Sequence, residues 1–172
     1  MNNQKTHDDD IFIVDNDEEE VQNSKYLMCN IGNEVFGIDI TYVTDIIELQ
    51  KITAIPDMPP YVKGVINLRG QVIPVIDLRL RFSMEEREYD DRNVITVVHI
   101  HNTSIGFLVD TATEVLDIPD DHIDPPPRFQ ENTEKEKYIA GLGKMNQEVK
   151  ILLNVEKLLS GKEIGEIKET TL

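Results

Sequence analysis

From residue 26 onward the chain is a succession of short apolar runs, rich in Val, Ile and Thr and separated by turn residues. Runs of this length and composition predict strands rather than helices. A first group falls at 26–31, 35–40, 43–49, 64–68 and 71–76, with tight turns at Gly32-Asn33 and Arg69-Gly70. A second falls near 94–100, 104–109, 113–118, 139–145 and 148–153, with Asn102 and Asn146 in the equivalent turns. Gly-Asn suits a two-residue hairpin because both residues tolerate positive φ. Helix is predicted only where Asp77 caps 78–82 and where Asn154 caps 155–159 before Gly161 ends it. Pro56, Pro59 and Pro60 mark a fixed connector between the third and fourth strands. Pro74 lies inside a strand, which predicts an edge position or a bulge there.

The two groups are copies of one unit. Residues 26–48 align without a gap on 95–117 at an offset of 69. Gly37 then meets Gly106, and Ile38, Ile40, Asp45, Ile46, Ile47 and Glu48 face Phe107, Val109, Glu114, Val115, Leu116 and Asp117. Farther on, Tyr61–Val65 matches Tyr138–Leu142 and Val72–Leu78 matches Val149–Val155, now at an offset of 77. The second copy therefore carries eight extra residues, in the loop holding Pro125-Pro126-Pro127 and the polar run 130–137. The first repeat spans about 26–82 and the second about 94–160, with 161–172 left as a C-terminal tail. Five short antiparallel strands remove their unpaired edges most economically by closing on themselves. The expected fold is all-β: two pseudo-repeated five-stranded antiparallel barrels packed side by side, with short helices after the last strand of each repeat. The repeat leaves open whether strands are exchanged between the barrels.

Charge narrows the function. The 172 residues hold 17 Lys+Arg against 33 Asp+Glu, a formal charge of -16. Such a surface repels phosphate backbones and anionic headgroups, which argues against nucleic acid and against direct membrane insertion. Residues 1–24 concentrate eight acids against Lys5, with Ile11-Phe12-Ile13-Val14 as their one apolar patch, and an acidic disordered tail is expected. One cysteine cannot form an internal disulfide, and no apolar run approaches the roughly 20 residues of a membrane helix, so a soluble cytoplasmic protein is expected. Candidate chemistry is thin. His99 and His101 share a strand face but lack a third ligand, Gly141-Leu142-Gly143 lacks the strand-helix setting of a dinucleotide site, and Cys29 has no base or cation near it in sequence. No catalytic, cofactor or metal site is expected.

One hairpin stands out, Gly64-Val65-Ile66-Asn67-Leu68-Arg69-Gly70-Gln71-Val72-Ile73-Pro74, with an arginine at its tip. Arginine offers a planar fork of donors and is enriched where interfaces carry their energy. Here the sequence resembles the chemotaxis coupling protein family, the CheW-like adaptors, whose members carry a similar Gly-Val-x-Asn-Leu-Arg-Gly run. Phe36-Gly37-Ile38-Asp39-Ile40, Ile105-Gly106, Tyr138-x-x-Gly141-Leu142-Gly143 and Asn154-Val155-Glu156-Lys157-Leu158-Leu159 extend the likeness over about residues 25–160.

The resemblance implies a non-catalytic adaptor. It would join the cytoplasmic tips of methyl-accepting chemoreceptors to the regulatory domain of a histidine autokinase, in the cytoplasm but associated with membrane receptor arrays. By motif, receptor binding would fall to Val43, Asp45 and Arg69 from the first copy and to Val94, Gly106 and Val115 from the second. Asp45 departs from the glutamate frequent at its position, and the long acidic tail departs from the compact family pattern. The kinase would meet the outer end of one barrel, at residues no motif names. The alternatives are a same-fold scaffold of another receptor-kinase array and a small enzyme with a dispersed site. A relative bearing its own receiver domain would need a further domain beyond Leu172.

Overall fold

The computed structural model describes residues 23–126 and 137–171. The expectation of a disordered acidic tail therefore falls almost wholly outside the described residues, as does most of the polar run in the second copy's loop. The described chain is mostly strand, in two sheets. The first copy supplies β1 (Asn23–Ile31), β2 (Glu34–Asp39), β3 (Val43–Glu48), β4 (Val62–Leu68) and β5 (Gln71–Asp77). The second supplies β6 (Val94–Ile100), β7 (Thr103–Val109), β8 (Thr111–Pro119), the two-residue β9 (Ile123–Asp124), β10 (Ile139–Met145) and β11 (Glu148–Leu153).

Neither sheet is made by one copy. Spatial order is β8-β1-β2-β11-β10-β9 in one sheet and β3-β6-β7-β5-β4 in the other. Each joins the first two strands of one copy to all the later strands of its twin, so the exchange that the repeat left open is present in both sheets. It also corrects the all-antiparallel expectation, because β11 with β2 and β5 with β7 pair in parallel. Both parallel pairs join strands of different copies, so no tight hairpin dictates their direction, whereas the other two pairings between copies, β1 with β8 and β3 with β6, are antiparallel. The ladders do not close by hydrogen bonding around either sheet. In the five-stranded sheet, Thr53 bridges to Val65, laying the chain beyond β3 against β4. In the six-stranded sheet, β9 leaves β8 after one 3-10 turn (Asp120–His122) and pairs with β10.

Burial explains why some runs are apolar at every position. On β6, Ile95 and Val97 enter a small cluster with Ile66, Ile73, Val75 and Leu108, inside the curl of the five-stranded sheet. Val98 and Ile100, together with Ile105 and Phe107 of β7, enter the large core shared with Leu27, Ile31, Phe36 and Ile38 of the other sheet. A strand covered on both faces cannot alternate. Pro74 is neither on an edge strand nor at a bulge, since β5 lies between β7 and β4. It is tolerated because the pairing with β7 begins only at Val75, leaving Pro74 opposite Val65 alone.

Helices α1 (Leu78–Arg81) and α2 (Val155–Leu158) follow the fifth strands, capped by the Asp77 and Asn154 carboxyl and amide oxygens. The C-terminal tail expected after residue 160 is instead a helix, α3 (Gly161–Thr171), which buries Ile164 and Ile167 in the main core. Ser160 Oγ accepts the Glu163 backbone N–H at 3.1 Å, so the serine before Gly161 starts a new helix. The Glu163 carboxylate then accepts from the Tyr61 hydroxyl at 2.8 Å and from Arg81 at 3.1 Å. Burial and that carboxylate push the Tyr61 hydroxyl up to about 12, so it remains a donor. Arg81 lies 4.3 Å from the Tyr61 ring centroid and 5.2 Å from that of Tyr138, and its Nε donates to the Leu158 carbonyl at 2.7 Å. Tyr61 and Tyr138, like Arg81 and Leu158, are equivalent positions of the two copies, so this cluster marks the pseudo-twofold relation between them.

Candidate functional site at the arginine hairpin

β4 and β5 pair to Leu68 opposite Gln71, which leaves a two-residue turn of Arg69 and Gly70. Both have positive φ, 52° and 84°, the geometry that suits the twist of a hairpin. Asn67 Oδ1 fixes the turn by accepting the Gly70 N–H at 2.8 Å. For glycine or asparagine this conformation is easy, and the equivalent turn of the second copy holds Asn146 at φ 50°. For arginine it costs about 1 kcal/mol. A long cation is thus held at the hairpin tip against local preference.

Its guanidinium reaches β3, where Nη2 lies 3.0 Å from Asp45 Oδ2. Arg69 keeps 77% of its side chain exposed and Asp45 only 24%, so the arginine remains open to a further partner. Exposed pairs of this kind contribute at most about 1 kcal/mol, which makes this contact exchangeable. Asp45 is aimed by a bulge: Val43 pairs with Val98 and Asp45 with Val97, leaving Thr44 as the extra residue. Thr44 Oγ1 donates to the Val97 carbonyl at 3.3 Å, which steadies the distortion.

The residues expected around this hairpin do not all gather. Val43 is half-buried at one end of the β3–β6 ladder and packs on the main core, while Val94, also half-buried, sits at the other end opposite Glu48. Gly106 is buried. A Cβ there would stand 2.6 Å from Ile95 Cγ2, so the residue offers no surface and permits β6 and β7 to pack. Its equivalent Gly37 does the same against Leu152 Cδ2 at 2.8 Å. Val115 is 49% exposed but lies on β8 in the other sheet, opposite Leu27. Two exposed apolar residues near the ion pair were not anticipated: Ile46, next to Asp45 and 45% exposed, and Val72, just past the turn and 53% exposed. The duplication held the signal, since they align with the exposed Val115 and Val149 of the second copy.

The remaining candidate chemistry is inert. Cys29 is fully buried, and that burial pushes its thiol up to about 12, far from a nucleophile. His99 is exposed on β6 and His101 sits in the turn after it. Among the described residues no group of three or more His, Cys, Asp and Glu side chains is arranged to hold a metal ion. The best-organised polar cluster is structural. Arg79 of α1 meets Asp110 through Nε to Oδ1 at 2.8 Å and Nη2 to Oδ2 at 2.6 Å, and Asp110 also accepts the Gly32 N–H at 2.8 Å. Burial works against the charged form, but these donors prevail and hold the Asp110 carboxyl below the usual carboxylate range. The cluster ties the β1–β2 turn of one sheet to the end of β7 in the other.

Comparison with known proteins agrees with this architecture. A family model described as a CheW-like domain matches residues 25–163. A chemotaxis protein CheW of Klebsiella aerogenes is 37% identical over 146 residues, covering 85% of this chain and 87% of that one. A protein of the same description from Helicobacter pylori is 36% identical over 130 residues, 75% and 77% of the two chains. The crystal structure of the scaffolding protein TtCheW from Thermoanaerobacter tengcongensis superposes with a TM-score of 0.74 at 32% identity, over 83% of this chain and 97% of that one.

Proposed function

The chain belongs to the CheW-like family, and on that premise we propose that it is the adaptor through which chemoreceptors and a histidine autokinase are coupled in chemotaxis. It acts by binding and has no catalytic step of its own. The partners are the cytoplasmic tip of a methyl-accepting chemoreceptor and the regulatory domain of the kinase, which places the adaptor in the cytoplasm at membrane receptor arrays. The CheW-like unit is residues 25–160, between an acidic N-terminal segment and α3. A two-barrel path for the chain is supported by the bridge of Thr53 to Val65 in one sheet and by the pairing of β9 with β10 in the other, each of which carries the chain from one edge of its sheet toward the opposite edge.

The observation that carries the receptor reading is the hairpin arginine, held at positive φ and only weakly committed to Asp45. On docking, Arg69 exchanges or shares that carboxylate with one on the receptor helix tip, while Ile46 and Val72 supply apolar contact beside it. Val43 and Val94 support the β3–β6 ladder from its two ends, and Gly106 serves the site only through packing. Val115 belongs to a different face, on the other sheet. The test is a binding measurement between purified protein and a receptor signalling tip, with and without the kinase's regulatory domain. Retention of both partners with altered autophosphorylation supports the reading, and retention of neither refutes it.

A further inference from the structure

The duplication supplies an internal comparison. In the five-stranded sheet, the gap between edge strand β3 and the β4–β5 turn is bridged by Arg69 and Asp45 at 3.0 Å. The equivalent residues of the other sheet are Asn146 in the β10–β11 turn and Glu114 on β8, and among the described residues no hydrogen bond joins them. A groove of about 660 Å³ opens there instead, between the end of β8 and the β10–β11 turn, with Pro119, Met145 and Val149 in its lining. Val149 is 60% exposed, and Val115, two residues along β8 from the groove-lining Asp117, is 49% exposed. β8 is also an edge strand, whose outer backbone groups form a ready template for another extended segment.

We propose that this groove is the seat of the chain's own apolar run Ile11-Phe12-Ile13-Val14. The chain path brings the run there: the described residues begin at Asn23, whose register partner Pro119 lines the groove. The eight residues between Val14 and Asn23 can span up to about 27 Å, ample to cross one strand and reach the free side of β8. The chemistry matches as well. The run is the apolar patch of an otherwise acidic segment, it is β-branched or aromatic at every position, and such a sequence adds readily to a sheet edge. Its flanking acids stay solvated outside the groove, whose own Asp117 and Glu148 are already paired with Lys25 and Lys150. A short tether gives an effective concentration in the millimolar range, so a weakly binding run still occupies its seat. Seated, it covers the apolar face of the six-stranded sheet and competes with any partner for it, while the Arg69 face stays open.

Amide hydrogen exchange of the full chain tests this, read at residues 11–14 together with the Met145 methyl resonance. The expected result is protection of residues 11–14 at least tenfold above that of the neighbouring acids. Protection is lost, and the Met145 methyl moves, in Val149→Asp and equally in Phe12→Asp. Phe12→Asp leaves every residue of the two described sheets unchanged, so its effect does not come from altering their packing. Absence of protection, protection that survives Val149→Asp, or a Met145 resonance that changes with protein concentration, which would place a second copy in the groove, overturns the proposal. These readouts involve neither receptor nor kinase, so their outcome is separable from that of the coupling function.

Discussion

Removing the Asp110 carboxylate by Asp110→Ala tests whether the polar cluster between the sheets holds them together. Asp110 and Arg79 retain only 17% and 14% of their side-chain exposure, and two hydrogen bonds join them in parallel. The variant leaves the Arg79 guanidinium without its partner and the Gly32 N–H without its acceptor. Breaking a fully buried pair costs about 3–5 kcal/mol, and with residual water access the expected loss is about 2–3 kcal/mol. For a chain of this size that is a fall in Tm of roughly 4–12 °C. Urea denaturation of wild type, Asp110→Ala, Arg79→Ala and the double variant measures the coupling directly, and about 1–3 kcal/mol is expected. The pH dependence has a definite sign. Because the folded carboxyl titrates below its usual range, the contribution is complete at neutral pH and fades as pH falls below about 4 through the folded value. A loss under about 0.5 kcal/mol for Asp110→Ala, or single effects that simply add, would refute the reasoning.

Three further outcomes are expected. Gly106→Ala forces a methyl to within 2.6 Å of Ile95 Cγ2 and destabilises by about 1–3 kcal/mol in thermal or urea unfolding, and a neutral effect would return Gly106 to the list of possible surface residues. Arg69→Asp leaves Tm within about 1–2 °C, since the side chain is mostly exposed, yet lowers receptor-tip affinity at least tenfold; unchanged affinity would remove this hairpin from the interface. Deleting residues 160–172 exposes the core beneath Ile164 and Ile167 and lowers stability by about 2–5 kcal/mol, whereas an unaltered unfolding curve would mean that α3 is dispensable.

The repeat and ten of the strands were legible because apolar periodicity and turn residues are local signals, and each copy checks the other. Strand exchange was not legible. Two copies with one pattern present the same edges to each other as to themselves, so the pattern cannot say whose β5 lies beside β7. α3 was missed because Gly161 reads as a stop, whereas Ser160 with Glu163 three residues later reads as a start, and Ile164 and Ile167 have helical spacing. Of the candidate site, Arg69 and Asp45 come together because a turn position and a strand position are both fixed by local pattern. The burial of Gly106 was not legible because it depends on the strand paired beside it, here β6 with Ile95.

The exchange of strands bears on how such an adaptor transmits a signal. β3, which carries Asp45, is bonded to β6 of the other copy, and β6 to β7, whose end meets Asp110 and the Arg79 contact. A load applied at the hairpin arginine therefore enters the second copy's strands within one ladder. Sliding that ladder by one residue would exchange Ile95 and Val97 with Val98 and Ile100 between two packed cores and turn the exposed His99 inward, at about 1–3 kcal/mol for each misfitted side chain. An ion pair at the Arg69 tip supplies at most about 1 kcal/mol. A receptor docked through that ion pair would draw too little energy from it to re-register the sheets, and the Arg81 cluster further fixes one copy against the other. What it can change is the orientation in which the whole adaptor is held. Signal would then pass to the kinase as a rigid-body shift of a preformed surface, with the Arg69–Asp45 pair as the part that yields.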